Sequence, residues 1–401
     1  MVTTNDPAAL AKSLHAMAER GNAKAQYSLG LIYAAGKGVK QDVRHALYWY
    51  RKAAEQGLPE AQCVLGTKYS NGQGVPQDYR QAVYWYSKAA EQGDARAQFY
   101  LGMMYNEGRG VEQDLMHGEH WLLNAAEQGD AKAQLELGRL YDVDQPFLAA
   151  TWYRKAAKQG IVEAQRLLAE KYAQGNGVRQ DHEEAGHWYA KAAESGDAKA
   201  QWHIGYMYDK GRGVSQDYAK AAYWYSKAAA QGFAAAQGVL GLMYANGVGV
   251  RQNFYEAAQL WQQAAEQGDG EAQHNLAVSY KDGAGVSRSM TKAAYWYRQA
   301  AEQGLAEAQC MLGIICAKGD AAPTDLVEAH MWFNLAGSNG NEAGLANRKL
   351  AESLMTPEQI VAAQQRAVEW VKAYREQHPL PTSPATHDDQ EMRIDFIADE
   401  F

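Results

Sequence analysis

The chain has 401 residues, 47% hydrophobic and 11% aromatic, which is enough apolar material to build a core without a stapling device. Its formal net charge of -8 argues against a phosphate-binding surface, because nucleic-acid binders concentrate excess Lys and Arg, so no nucleic-acid partner is expected. Nowhere do eighteen apolar residues run together, so no membrane insertion is expected either.

In chain order, MVTTNDPAALAKSLHAMAERG lacks a basic segment followed by an apolar run and reads as unexported. Asp6 and Pro7 spell an N-cap and a first-turn proline, and AERG at 18–21 matches AEQG at 54–57. Residues 1–21 are therefore expected to form a lone capping helix. From there the chain repeats itself: YWYRKAAEQG at 48–57 returns as YWYSKAAEQG at 84, YWYSKAAAQG at 223 and YWYRQAAEQG at 295. Ala-Gln pairs at Gln26, Gln62, Gln98, Gln134, Gln165, Gln201, Gln237, Gln273 and Gln309 are 36 residues apart, except for one step of 31. A fixed period of this length marks a solenoid, whose units cannot bury their apolar faces alone.

In the first unit, Ala25, Leu29 and Tyr33 share one face of a helix A, where Gly30 permits close approach of a neighbour. Gly36-Lys37-Gly38-Val39 ends that helix. Asp42 then sits at the N-cap of helix B, as do its counterparts Asp78, Asp114, Asp181, Asp217, Asn253, Ser289 and Asp325. Ala46, Trp49, Tyr50, Ala53 and Ala54 form the apolar stripe of helix B, and by the same pattern Trp224 is expected in the core.

These residues resemble the Sel1-like repeat family, relatives of tetratricopeptide repeats with a longer inter-helix loop, over about residues 22 to 340. The resemblance implies an all-α, right-handed α/α solenoid of about nine 36-residue helix-loop-helix repeats with terminal capping helices. The repeats occupy 22–340 and capping helices 341–376, the second opened by Thr356-Pro357-Glu358. Residues 377–401, with three prolines and a cluster of acids, read as a disordered acidic tail.

The fourth unit is short. Between Tyr141 and Gln145 only Asp142, Val143 and Asp144 remain, so the connection must be tight, with Asp144 as cap and Pro146 in the first turn. Either a deletion is tolerated there or the local curvature changes.

Motifs that carry chemistry are weak. HEEAGH at 182–187 sets His182 and His187 five apart, about 140° round a helix, unlike the i, i+4 pair of a zinc box. His117 and His120 could meet a surface metal, but no third ligand converges in the sequence. AAGKGV lacks the P-loop spacing. No cofactor or metal is expected. Cys63, Cys310 and Cys316 are too few for a disulfide framework, so the reading favours the cytoplasm.

In tetratricopeptide-like arrays the helix-A face offset from the core stripe lines the concave groove, and the resemblance carries that to this chain. The positions are Tyr27 and Leu31; Cys63 and Thr67; Phe99, Met103 and Asn106; Leu135 and Arg139; Arg166 and Glu170; Trp202, Tyr206 and Asp209; Gly238, Leu242 and Asn246; His274, Val278 and Lys281; Cys310 and Ile314. Partner binding is expected at Tyr27, Leu31, Phe99, Met103, Arg139, Arg166, Glu170, Trp202 and Tyr206, with two aromatic anchors flanking a charged middle. The competing reading packs Phe99 and Trp202 between neighbouring A helices.

The chain therefore reads as a non-catalytic scaffold or adaptor for a protein or peptide. Two alternatives stand beside it: a hydrolase or β-lactam binder like cysteine-rich Helicobacter relatives, whose repeat cysteine pairs and export signal are not seen here, or a toxin-neutralising binding protein. In the tail, Met392, Ile394, Phe396, Ile397 and Phe401 lie among Asp388, Asp389, Glu391, Asp395, Asp399 and Glu400. Such a mix reads either as a solubilising end or as a contact element, with Arg139 and Arg166 as complementary charge.

Overall fold

A chain rich in alanine, with glycine at fixed intervals, favours short helices and sharp stops. In a computed structural model the described residues, 7–377, form 21 helices and no strand. Asp6 and residues 378–401 lie outside them, so the expected first cap and the disordered tail go undescribed. The chain divides into two compact units, residues 1–180 and 181–401. The first holds α1 (Pro7–Glu19), α2 (Ala23–Ala35), α3 (Val43–Glu55), α4 (Pro59–Asn71), α5 (Tyr79–Glu91), α6 (Ala95–Glu107), α7 (Leu115–Glu127), α8 (Ala131–Leu140), α9 (Pro146–Lys158) and α10 (Val162–Gln174). The second holds α11 (His182–Glu194), α12 (Ala198–Lys210), α13 (Tyr218–Ala230), α14 (Ala234–Asn246), α15 (Phe254–Glu266), α16 (Gly270–Asp282), α17 (Met290–Glu302), α18 (Ala306–Lys318), α19 (Leu326–Ser338), α20 (Glu342–Glu352) and α21 (Pro357–Gln377).

The repeated glutamine does more than mark the period. Gln26 is buried, and its Nε2 donates to the carbonyl of Ala18 near the end of the preceding helix, 3.0 Å away. Its Oε1 accepts from Nε2 of Gln56, which closes helix B of the same repeat, at 2.6 Å. One side chain thus joins three helices. The arrangement recurs at Gln62 with Ala54 and Gln92, at Gln98 with Ala90 and Gln128, and in the second unit at Gln201 with Ala193 and Gln231. At Gln309 the donor is Asn339 in place of glutamine.

Within YWY each residue has a separate task. Tyr48, Tyr84, Tyr223 and Tyr295 are exposed and set edge-on to the tryptophan that follows. The third aromatic is the core anchor: Tyr50, Tyr86, Tyr153, Tyr225 and Tyr297 are among the largest fully buried side chains. Helix A accommodates that ring only by having no side chain opposite it. A Cβ on Gly30 would lie 2.6 Å from the Tyr50 ring, and one on Gly205 would lie 2.9 Å from that of Tyr225. Trp224, expected in the core, is only half-buried, whereas its counterparts Trp49, Trp152 and Trp188 are buried.

Loops are seated by the second glycine of each G-x-G. At Gly38, Gly110 and Gly177 a Cβ would fall 2.1 to 2.4 Å from the backbone that opens the preceding helix B, at Pro7, Tyr79 and Pro146 respectively. Since Gly38 rests on Pro7, α1 stands where a helix B would stand. All eight predicted N-caps, Asp42 to Asp325, accept amide hydrogen bonds at the start of their helices.

The shortened repeat departs from expectation at one residue. Gln145, not Asp144, is the N-cap of α9, without a side-chain bond, and Pro146 follows in the first turn. Residues 141–145 make a single turn in which the Gln145 amide donates to the Tyr141 carbonyl at 2.9 Å, which carries Gln145 into the capping position and leaves Asp144 exposed. Asp142 takes over part of the lost loop's role by pairing with the buried Lys171 Nζ at 2.7 Å. Lys171 occupies a position held elsewhere by Met104, Met207 and Met243.

Two stability measurements follow. Tyr225→Ala should cost about 3 to 5 kcal/mol in denaturant unfolding, and Trp224→Ala less than half of that; equal costs would place both rings in the core. Asp142→Ala should cost about 2 to 3 kcal/mol by stranding the Lys171 ammonium, whereas Lys171→Met should be close to neutral. A neutral Asp142→Ala would show that the pair carries no structural weight.

Candidate functional site

Helix A presents its core stripe through residues such as Ala25 and Leu29, so positions 27 and 31 and their counterparts flank the buried seam. The structure sorts the expected partner-binding residues unevenly. In the first unit, Tyr27 is half-buried, tilted 5.9 Å from Tyr50, and packs with Leu58 in one apolar cluster, whereas Leu31 is 45% exposed. Phe99 and Met103 on α6 are half-exposed. Cys63 and Leu135 are buried and offer no surface.

The charged middle is already satisfied. Arg139 reaches Glu136 and Glu163, each at 2.6 Å, while Arg166 reaches Glu170 at 2.6 Å and Glu163 at 3.6 Å. Three carboxylates hold two guanidinium groups. The acidic tail expected to complement Arg139 and Arg166 lies outside the described residues, and its acids would have to compete with these carboxylates.

In the second unit, Tyr206 is buried at 8% exposure, against the expectation that it faces solvent. Trp202 is half-buried, stacked on Tyr206 at 5.9 Å and tilted against Phe233 at 6.1 Å. Its indole nitrogen is buried without an acceptor. The packing alternative thus applies in large part to this pair. Phe233 escaped the sequence reading although its signal was present. The slot before helix A usually holds a capping Asp or Asn, as at Asn22, Asp94 and Asp197, but Leu58, Ile161, Phe233 and Leu305 put an apolar side chain there. His274 is half-buried edge-on to Tyr297, burial holds its pKa below the ordinary value, and Cys310 is buried.

His117 and His187 make local contacts. His117 Nδ1 lies 2.7 Å from the capping Asp114 and its ring stacks on Tyr105, while His187 sits edge-on to Trp188. Among the described residues no three His, Cys, Asp or Glu side chains converge as metal ligands. No described helix is long and apolar enough to cross a membrane.

The sequence profile of the Sel1 repeat matches nine consecutive segments, at 23–58, 59–94, 95–130, 131–161, 162–197, 198–233, 234–269, 270–305 and 306–341. The chain belongs to the Sel1 repeat family. It is similar to a protective antigen of uropathogenic Escherichia coli displaying an SLR fold, at 34% identity over 94% of this chain and 98% of that one, with a TM-score of 0.53. A Sel1 repeat protein from Oxalobacter formigenes is also 34% identical, over 79% of this chain and 95% of that one, with a TM-score of 0.57. No curated protein matches.

In this Sel1 repeat chain the three cysteines are free thiols. Burial pushes Cys63 up to about 12 and Cys316 to about 11, and raises Cys310 too. At pH 8 the native thiols should react with iodoacetamide roughly a hundredfold more slowly than after unfolding, because so little thiolate is present. Dithiothreitol should leave the melting temperature unchanged. Fast native labelling, or a lower melting temperature in reductant, would contradict this picture.

Proposed function

We propose that this Sel1 repeat protein is a non-catalytic cytoplasmic scaffold that binds a protein or peptide on the helix-A face of its first unit. The observation that carries the reading is the division of labour along helix A. Glutamine and the apolar stripe are committed to the frame in every repeat, and glycine in most, while the counterparts of position 27 make none of the glutamine or glycine contacts and change from Tyr to Cys to Phe to Leu to Arg along the first unit. On that face Leu31 is exposed and Phe99 and Met103 are half-exposed, beside the ion-paired string from Glu136 through Arg139, Glu163 and Arg166 to Glu170. Apolar contact area rimmed by neutralised charge suits a partner that brings its own apolar side chains. Trp202, resting on the buried Tyr206, is a secondary contact on the second unit.

Affinity capture from lysate of the native organism tests the reading. Leu31→Glu with Phe99→Glu should reduce recovery of the specific partner at least about tenfold while leaving helicity and melting temperature unchanged. Recovery unaffected by the pair, or lost only together with the fold, would refute it.

A further inference from the structure

The loop of the ninth repeat breaks the seating rule. It reads Gly319-Asp320-Ala321-Ala322-Pro323, so Ala321 stands where the second glycine stands elsewhere. In the same unit, a Cβ on Gly213, Gly249 or Gly285 would lie 2.0 to 2.2 Å from the backbone oxygen opening the preceding helix B. A methyl group cannot occupy that space, so Ala321 cannot settle onto Met290 at the start of α17. The structure has a cleft of about 430 Å³ there.

Its lining combines an apolar floor with cations. Met290, Met311 and Ile315 form the floor, and Lys281, Arg288 and Lys318 stand around it, together with the acids Asp282 and Asp320. Lys281 lies 3.7 Å from Asp282. Arg288 spends its Nε on the Lys281 carbonyl at 3.0 Å. Arg288 and Lys318 are exposed, and neither pairs with a carboxylate among the described residues. Unlike Arg139 and Arg166, each held by its own acids, Arg288 and Lys318 leave this place in the second unit suited to an acidic, apolar segment.

The chain supplies such a segment. Residues 388–401 carry six carboxylates and one arginine, with Met392, Ile394, Phe396, Ile397 and Phe401 among them. Reach is not limiting. Tyr374 on α21 donates to the carbonyl of Gln303, the residue after α17, at 3.1 Å. Met290 begins that same helix, about 20 Å away at 1.5 Å per residue. The stretch from Gln377 to Glu391 can span about 46 Å when extended.

We infer that residues 388–401 of the chain dock in the cleft between Met290, Met311 and Lys318, with carboxylates toward Arg288 and Lys318 and an apolar side chain on the floor. The docking is intramolecular and does not depend on the scaffold reading, which concerns the other unit and could fail alone.

The test uses the full chain and a chain ending at Gln377, with a fluorescent peptide of residues 386–401 as probe. Anisotropy should show the peptide binding the shortened chain, at least about tenfold more weakly to the full chain, and at least about tenfold more weakly to the shortened chain carrying Arg288→Glu and Lys318→Glu, whose side chains are exposed. In dilute full-length protein, carbodiimide should link Lys318 to a carboxylate within 388–400 of the same molecule. Equal binding by both chains, binding by neither, indifference to charge reversal, or a cross-link only between two copies would each overturn the inference.

Discussion

The buried amide of Gln26 and its counterparts is the contact on which the array depends. A polar side chain removed from water costs stability unless every group on it is bonded. Here both ends of the amide are used, the Nε2 on a carbonyl of the preceding helix and the Oε1 on Gln56 of the helix that completes the repeat. An apolar residue of similar size could fill the space. It would leave the Ala18 carbonyl without this donor and let neighbouring helices slide, because apolar contacts do not specify register. The amide does, since its two bonds are satisfied together only when three helices stand at one separation.

Around that fixed separation the rest is size-matching. Tyr50 fills the space that Gly30 vacates, and Gly38 lets a loop touch the backbone at Pro7. The wealth of glycine thus reflects tight contact instead of slackness. It also divides the surface: residues bound into glutamine, glycine and capping contacts cannot vary without cost, while those beside them on helix A can. A recognition surface can therefore differ from repeat to repeat over an unchanging frame.

Two repeats show how the frame responds to a broken rule. In the fourth, the lost loop is replaced by the pair between Asp142 and Lys171, a charged contact at a site that three other repeats fill with methionine. In the ninth, Ala321 cannot take the seat of the missing glycine, and a cleft stands beside that loop, edged by Arg288 and Lys318, which have no acid partner among the described residues. One irregularity is filled by the protein itself. The other leaves a cleft among the described residues, a surface of mixed charge and apolar character where a docking segment gains most by burial.

Periodic features were legible in the sequence because they are local. The 36-residue step, the capping acids from Asp42 to Asp325, the glycine stops and the inward stripe of helix B all follow from spacing along one helix or turn. What depends on a neighbouring repeat was not. Sequence spacing placed Trp224 and Tyr225 together on the stripe, but only the packing between helices shows Tyr225 enclosed against Gly205 and Trp224 half-buried. Asp144 looked like a cap, yet the turn from Tyr141 to Gln145 closes one residue later. Likewise Tyr206 belonged to the expected surface by helical phase, while Trp202 one turn before it and the apolar cluster with residues of α13 and α14 bury it in fact. The sequence by itself determined the helices, their caps and the count of repeats, since these rest on hydrogen bonds within a few residues. Which side chains remain free to meet a partner was decided by packing between repeats, because burial is set by residues of neighbouring repeats, as are contacts such as Arg139 with Glu163 and Lys171 with Asp142.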